Sequence, residues 1–362
     1  MSRTDAFALL CRCLTPAYSA DATDAIRRQI AAGPSWEDFL ALADELSVST
    51  ALAQAVRDKA VADALPSEVL DFIDGMAELN RLRNAQIHVE ALSVARLLNG
   101  AGVRPVFLKG AANLLSGLYA DPGQRIMLDL DLLVPFDTVL NCAAALRAAG
   151  YTELADSGFP AHHHYPAMGR PGDIAAVELH VEPLDLPLRR LLPAEIVLAG
   201  AIPRNAEGAE FAVPTPTVRV IHAIAHAQLA NNEHLIGRFP LRDLLDVALL
   251  ARDSGAAPDW HAIGTAFAGE GGGTALDFHR LALARLFDIE SDGPRPGLWA
   301  RALYRRALWQ VGHPRMQSLS ERALRPWLLL RRSLSGPALR RRLWRNLLDA
   351  EWRRRQWRRL VR

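Results

Sequence analysis

The segment between Val106 and Val134 combines two apolar stretches with a lysine–glycine pair and two aspartates. Val103 to Leu108 is apolar enough for a buried strand, and Lys109-Gly110 interrupts it where a helix over Ala111 to Tyr119 is predicted. A strand that ends in glycine at the start of a helix exposes backbone N–H groups, which suit a phosphate. The pattern therefore predicts a strand, an anion-binding turn and a helix.

A second strand is predicted from Met127 to Val134. Its alternation places Asp129 and Asp131 on one face and the leucines at 128, 130 and 132 on the other. Two like charges in so apolar a strand are costly unless a cation or a cluster of donors balances them. The pair therefore indicates a shared divalent metal ion. The alternative is a strand end whose carboxylates cap a neighbouring helix.

These residues resemble the nucleotidyltransferase superfamily that has the DNA polymerase β-like catalytic core. The longer pattern resembles a bacterial group of uncharacterised nucleotidyltransferase family proteins, and it comprises Leu108–Ala112, Leu118-Tyr119 and Arg125–Val134. The resemblance implies an α+β fold, in which a small mixed sheet with helices is flanked by N- and C-terminal helical regions. One departure is Ala111, which stands where many relatives have glycine or serine. Phosphate contact would then depend on backbone N–H groups and Lys109.

The resemblance also implies a third acidic residue on a neighbouring strand. Glu178, between apolar residues of a strand predicted from Ile174 to Val181, meets this requirement, with Glu182 as the fallback. His180 shares the face of Glu178, and two roles remain open for it: orienting a phosphate, or a capped polar residue at the sheet edge. The implied catalytic and metal-binding residues are Asp129, Asp131 and Glu178. The implied nucleotide contacts are Lys109, Gly110, Ala111, Arg125 and His180.

The implied reaction is metal-dependent transfer of a nucleoside monophosphate from a nucleoside triphosphate to a hydroxyl acceptor, with release of pyrophosphate. Two Mg²⁺ or Mn²⁺ ions would serve it, and ATP is the expected donor only because ATP is abundant. The acceptor is a small molecule or a protein, and nothing in the sequence identifies it. The alternative is a catalytically degenerate member of the fold that acts as a binding or regulatory protein.

Length and composition predict four regions. These are an N-terminal helical region (1–99), the catalytic core (100–192), a C-terminal helical domain (193–320) and a basic tail (321–362). A long helix is expected from Ser67 toward Leu98, and irregular structure from Ile196 to Pro214. The three cysteines are too few for a disulfide framework, and no signal-like or membrane-spanning apolar run occurs, so a cytoplasmic protein is expected.

Two groups of histidines invite a metal interpretation. His162, His163 and His164 are consecutive, but adjacent side chains in a strand diverge, so an exposed or partly hydrogen-bonded loop is favoured over a metal site. His222 and His226 lie four residues apart on one side of a helix predicted from Thr217 to Asn231. A polar cluster that joins this helix to the aspartate-containing helix after Pro240, and that lines the acceptor pocket, is favoured over zinc.

The C-terminal tail is strongly basic. From Glu321 onward there are 14 arginines and three acidic residues, although the whole chain has a net charge of only +2. Residues 336–362 fit a basic amphipathic helix that could bind an anionic membrane surface or an acidic partner, with a packed terminal helix as the alternative. A peripheral position at the inner face of the membrane is consistent with this helix. No motif favours sequence-specific nucleic-acid binding.

Overall fold

The computed structural model describes residues 2–16, 18–154, 159, 162–252, 255, 257–269 and 272–334, with isolated positions at 340, 344, 348, 349 and 354. The predicted basic helix of residues 336–362 lies outside the described residues except at those five positions. There Trp344 and Leu348 are 67% and 80% exposed.

Five helices precede the sheet. They are α1 (Arg3–Leu14), α2 (Ala20–Ala31), α3 (Trp36–Glu45), α4 (Ser49–Asp58) and α5 (Ser67–Gly100). In the described part of the chain, no single helix is long and apolar enough to cross a membrane. Helices α3 and α4 pass that test only as a pair, with a bend of 118° between them.

The sheet region alternates short strands with helices. Its elements are β1 (Val106–Phe107), α6 (Lys109–Leu115), β2 (Asp129–Leu133), α7 (Val139–Ala148), β3 (Thr152–Glu153), β4 (Met168–Gly169), β5 (Ala176–His180), α8 (Ala194–Gly200), β6 (Ile202–Ala206) and β7 (Ala209–Val213). The strand order is β3-β4-β5-β2-β1-β7-β6. Strand β2 is antiparallel to β1 and parallel to β5, so the sheet is mixed, as expected.

Further helices follow the sheet. They are α9 (Pro216–Ile224), α10 (Glu233–Ile236), α11 (Leu241–Arg252), α12 (Trp260–Ala266), α13 (Gly272–Leu286), α14 (Leu298–Val311) and α15 (Pro314–Leu334). Thr215 caps α9 by accepting from the N–H of Val218, and Pro216 occupies the first turn. The α+β class with helical regions on both sides of a mixed sheet is thus confirmed.

The expectation of irregular structure from Ile196 to Pro214 was wrong. Strands β6 and β7 form a hairpin whose turn residues, Glu207 and Gly208, have φ values of +48° and +75°. Two consecutive positive φ values are typical of the tight turn that matches strand twist. Strand β7 pairs with β1, so the sheet continues to Val213. Pro203 in β6 obscured the pattern, but proline is tolerated there because β6 is an edge strand.

The local bounds of two other predicted elements also differ. Strand β1 is only two residues long, and helix α6 begins at Lys109, two residues earlier than predicted. Lys109 has a φ of +47°, a left-handed conformation that costs energy for a residue with a side chain. The turn between β1 and α6 is therefore made by Lys109 itself, in a left-handed backbone conformation.

Helix α5 confirms the predicted long helix, but its leucines do not all face the core. Leu79 and Leu82 are 67% and 62% exposed, whereas Asn80 and Asn84 are buried. The Asn80 side chain donates to the carbonyl of Gly123 at 2.7 Å, and the Asn84 side chain donates to the carbonyl of Arg125 at 2.8 Å. The middle of α5 is thus polar because it satisfies the backbone of the loop that leads into β2.

The same helix also fixes the start of β5. The carboxylate of Glu90, which is only 5% exposed, accepts hydrogen bonds from the backbone N–H groups of Ile174 and Ala175 at 2.7 and 3.0 Å. Helix α5 therefore holds both of the strands that carry the predicted acidic residues.

Two hydrophobic clusters lie on opposite faces of the sheet. One places α5 and α7 against the sheet, and it includes Phe107 and Leu132. The other includes Val106 and Leu133 and continues through helices from both the N-terminal and C-terminal regions. Adjacent strand residues belong to different clusters because side chains alternate across a strand. Helices from the two ends of the chain therefore share one core.

A buried ion pair joins the sheet region to the C-terminal helices. Arg125, in the loop before β2, donates through Nη2 to Oδ2 of Asp246 on α11 at 2.7 Å and through Nε to Oδ1 at 2.9 Å. The hydroxyl of Tyr119 donates to Oδ1 of the same carboxylate at 2.6 Å. Both charged side chains are less than a tenth exposed. The carboxylate thus receives donors from two separate points of the core.

We expect Asp246→Ala to lower the free energy of unfolding by about 3–5 kcal/mol, because it leaves the Arg125 guanidinium buried without a partner. Tyr119→Phe should cost about 1 kcal/mol, because only one of the donors is lost. Urea unfolding measures both. Asp63→Asn, which removes an exposed partner of Arg27, is the matched control and should leave the midpoint unchanged. Equal losses from Asp246→Ala and Asp63→Asn would contradict the structural role of the buried pair.

Candidate active site

Asp131 and Glu178 face each other across two parallel strands. Strands β2 and β5 are in a register that pairs Asp131 with Glu178 and Asp129 with Ala176. Asp131 is 2% exposed, and the Glu178 side chain is 24% exposed. The sheet thus brings together the second predicted aspartate and the predicted third acid, one buried and the other reaching solvent.

Two nitrogens approach the same oxygen of Asp131. Nζ of Lys109 and Nε2 of His180 each lie 2.7 Å from Oδ1. His180 is fully buried, and its Nε2 is also 3.4 Å from Oε2 of Glu178. The imidazole therefore lies between the two carboxylates. Of the two roles left open for His180, a capped polar residue at the sheet edge does not describe it, because its hydrogen-bond partner is the buried Asp131.

The charges of this group stabilise one another. Burial alone raises the pKa of Asp131, but Lys109 and His180 outweigh burial and hold that pKa well below its usual range. Burial lowers the pKa of His180, but hydrogen bonds to Asp131 and Glu178 raise it to a net value above the usual one. The carboxylate is thus ionised, and the Lys109 ammonium together with the hydrogen bond from His180 compensates the cost of its burial.

Asp129 lies at the start of the same strand but outside the tightest group. Ligand atoms of Asp131, Glu178 and His180 all lie within 4.8 Å of one another. Burial raises the pKa of Asp129, and the charge of Asp131 raises it further, whereas Lys109 lowers it. The charges of Asp131 and Lys109 therefore act on Asp129, although it lies outside the closest group. Leu128, expected on the buried face, is instead 66% exposed, because the strand begins only at Asp129.

Gly110 is required by side-chain packing. It is buried in the first turn of α6, where an added Cβ would lie 2.9 Å from Cγ of Met127 and would also collide with Nη1 of Arg125. Ala111 is 1% exposed and belongs to the apolar cluster beneath the sheet. Both of these predicted phosphate contacts, Gly110 and Ala111, are thus buried inside the protein.

A pocket opens beside Lys109, between α6 and the C-terminal helices. Several cationic or titratable side chains line it, namely Lys109, Arg219, His222, His226 and Arg242. Burial lowers the pKa of His222 well below its usual range, and the nearby charge of Lys109 adds to this effect. The predicted histidine pair therefore does lie at a pocket that adjoins the acidic residues.

Local helix geometry positions the second histidine. Residues Ala225–Ala230 form a π-helical turn after α9, and the N–H of Asn231 donates to the carbonyl of His226 at 3.0 Å. Such turns often occur at functional sites because they shift side chains out of helical register. Arg242, at the start of α11, was not predicted. Its place in the pocket depends on how α11 packs against α9, and no local sequence pattern predicts that packing.

A second cavity continues from this pocket. It shares His226, Arg242 and Asp243 with the first and extends to Glu45 and Glu233. Burial raises the pKa of Glu233 to about 7. The site therefore has a cationic part beside Lys109 and a more acidic part farther from the sheet.

The three consecutive histidine rings converge, although adjacent side chains in a regular strand would diverge. Their ring centroids are 4.3 Å (His162–His163), 4.3 Å (His162–His164) and 4.9 Å (His163–His164) apart. The segment bends and joins β5 only at a single bridge between His164 and His180, so the alternation of a regular strand does not separate the side chains. Nε2 of His164 lies 3.9 Å from Oε2 of Glu178.

A family model and a solved structure are similar to this chain. No curated protein matches the chain. A similar solved structure is described as an antigenic nucleotidyltransferase-like protein from Paracoccidioides brasiliensis, with 18% sequence identity and a TM-score of 0.37, and the match covers 58% of this chain and 95% of that one. A family model described as uncharacterised nucleotidyltransferase matches residues 32–287, which include the sheet and the pocket-lining helices. The chain therefore belongs to this nucleotidyltransferase family.

Proposed function

We propose that the protein is a metal-dependent nucleotidyltransferase that transfers a nucleoside monophosphate from a nucleoside triphosphate, with ATP as the expected donor, to a hydroxyl group. The acceptor oxygen forms a bond to the α-phosphorus, the bond from that phosphorus to the β-phosphate oxygen breaks, and pyrophosphate leaves. The hydroxyl proton passes to a base. The observation that carries the proposal is the Asp131–Glu178 pair across β2 and β5, beside Lys109, in a chain of this family.

The residues present fit a hard divalent cation. Carboxylate oxygens are the ligands that Mg²⁺ and Mn²⁺ prefer, and Asp131 and Glu178 supply them within the same group of close ligand atoms. Asp129 would complete the acidic set from the same strand. When bound, the ion would neutralise charge on the triphosphate and lower the pKa of the attacking hydroxyl.

Glu178 is best placed to take the proton of the acceptor. A hydrogen bond from His180 lowers the pKa of Glu178, although burial opposes this, so the carboxylate is ionised at neutral pH. Its side chain is 24% exposed and can therefore be reached by an acceptor, whereas Asp131 is enclosed. Glu178 therefore acts as general base, and Asp131 with Lys109 and His180 holds the charged framework in place.

The cationic pocket supplies the counter-charge for the phosphates. Lys109 is directed toward the acidic residues, while Arg242 and His226 line the same pocket from the C-terminal helices. The adjoining cavity with Glu45 and Glu233 would hold the acceptor, a small molecule or an exposed protein hydroxyl.

A second candidate function is nucleotide binding without turnover. It is favoured by the two nitrogens of Lys109 and His180 on Oδ1 of Asp131, because they already balance the buried carboxylate without any added cation. In that case a bound nucleotide would regulate the protein or its interactions.

Mg²⁺-dependent binding of the four ribonucleoside triphosphates should be measurable by calorimetry. We expect Asp131→Asn and Glu178→Gln each to weaken binding at least tenfold, because a charged ligand contact is worth about 1.5–3 kcal/mol. Asp137→Asn, an exposed acid just beyond β2, is the matched control and should bind like wild type. Circular dichroism establishes that each variant is folded.

Failure of every triphosphate to bind wild type, or equal binding by all three variants, would rule out the acidic site. Metal-dependent binding without pyrophosphate release across varied acceptors would select the regulatory function. Pyrophosphate release that depends on Glu178 would establish the transferase.

The pocket assignment predicts a separate effect on affinity. Arg242→Gln and His226→Gln should each raise the dissociation constant of the triphosphate by about tenfold, since each removes a polar contact from the pocket. The exposed residues Arg28 and His261 provide matched controls, as Arg28→Gln and His261→Gln. Unchanged affinity in both pocket variants would place the phosphates elsewhere.

A further inference from the structure

We infer that His162, His163 and His164 form a second metal site, specific for a zinc-class ion and distinct from the carboxylate site. The three rings converge, and one ligand nitrogen from each lies within 4.8 Å of the other two. Each of the three histidines is half-buried. It does not depend on the proposed transferase function.

The backbone of the cluster is held on β5 and the residues that follow it. The carbonyl of His163 accepts from the N–H groups of Val181 and Glu182 at 2.9 and 3.2 Å, and the N–H of Tyr165 donates to the carbonyl of Leu179 at 2.8 Å. These bonds fix the main chain on both sides of His164. A metal ion would therefore require rotation of side-chain torsions only, which is a form of preorganisation.

One hydrogen bond sets the orientation and tautomer of His164. Its Nδ1 lies 2.7 Å from the carbonyl oxygen of Tyr165, which can only accept, so Nδ1 carries the proton. The lone pair of the neutral ring is then on Nε2, the nitrogen directed toward Glu178. Fixing one ring nitrogen to a carbonyl in this way is the usual arrangement of a metal-binding histidine.

Carboxylates border the cluster on two sides. Oε2 of Glu178 is 3.9 Å from Nε2 of His164, and Oδ1 of Asp185 is 3.8 Å from Nδ1 of His163. Three imidazoles with an adjoining carboxylate or water make a four-coordinate set of the kind that zinc prefers. Magnesium avoids such nitrogen ligands, so the two neighbouring sites would select different ions by ligand chemistry.

A metal ion at this site would link residues 162–165 to β5, the strand that carries Glu178. Because Glu178 borders both groups of ligands, an ion on the histidines would restrain the side chain proposed as general base. The histidine ligands are positioning residues in this role.

Zinc binding by the metal-free full-length chain, in competition with a chromophoric chelator, tests the inference. We expect one equivalent bound by wild type and about 100-fold weaker binding by His163→Ala, which is the upper range for disrupting a histidine site. His261→Ala removes an exposed histidine on α12 and should bind like wild type. Asp131→Asn should also bind like wild type, because its carboxylate belongs to the other site.

Cobalt provides a spectroscopic readout. Co²⁺ in place of Zn²⁺ should give visible absorption bands of a four-coordinate nitrogen site in wild type and Asp131→Asn, and these bands should be lost in His163→Ala. If His163→Ala does not fold by circular dichroism, His162→Ala decides by the same two measurements. Equal zinc affinity in wild type and the histidine variant would overturn the inference. Loss of zinc only in Asp131→Asn would also overturn it, because the ion would then belong to the carboxylates.

Discussion

The burial of one carboxylate, Asp131, is the constraint on which the arrangement of the site depends. An ionised aspartate that is 2% exposed is stable only if cations and donors surround it. Lys109 meets this need from the turn after β1, and His180 meets it from the end of β5. Three neighbouring strands and the helix between two of them must therefore keep fixed relative positions for the carboxylate to stay charged inside the sheet.

Helix α5 maintains those positions through polar contacts. Asn84 binds the loop that enters β2, and Glu90 binds the N–H groups that enter β5, so one rigid helix sets the spacing of the strands that carry Asp131 and Glu178. Apolar packing alone tolerates small shifts, whereas hydrogen bonds to specific backbone groups do not. The polar face of α5 is thus part of the support of the site, although it contacts none of the acidic residues.

Sequence patterns could predict the parts of the site that lie within single elements. Asp129 and Asp131 stand out because charges in an apolar strand are costly. Glu178 follows from the family resemblance, which implies a third acid on a neighbouring strand, and the long helix follows from its periodicity. The hairpin of β6 and β7 was missed because an edge proline masked the alternation, and the convergence of His162–His164 was missed because it depends on a bend. Gly110 shows a further limit: glycine after a strand predicts close approach, but only the tertiary structure shows that Arg125 and Met127 are what approach it.

The pairing of Arg125 also decides which cations can meet a substrate. Its guanidinium is buried and bonded to Asp246, and turning it toward a phosphate would leave that carboxylate without its partner, at a cost of about 3–5 kcal/mol. Arg242 is a third exposed, and its Nε lies 3.6 Å from Oδ1 of Asp243, a weak contact. Arg242 can therefore contact a phosphate at far lower cost. Arg125 instead fixes α11, and with it the wall of the pocket, to the loop that leads into β2.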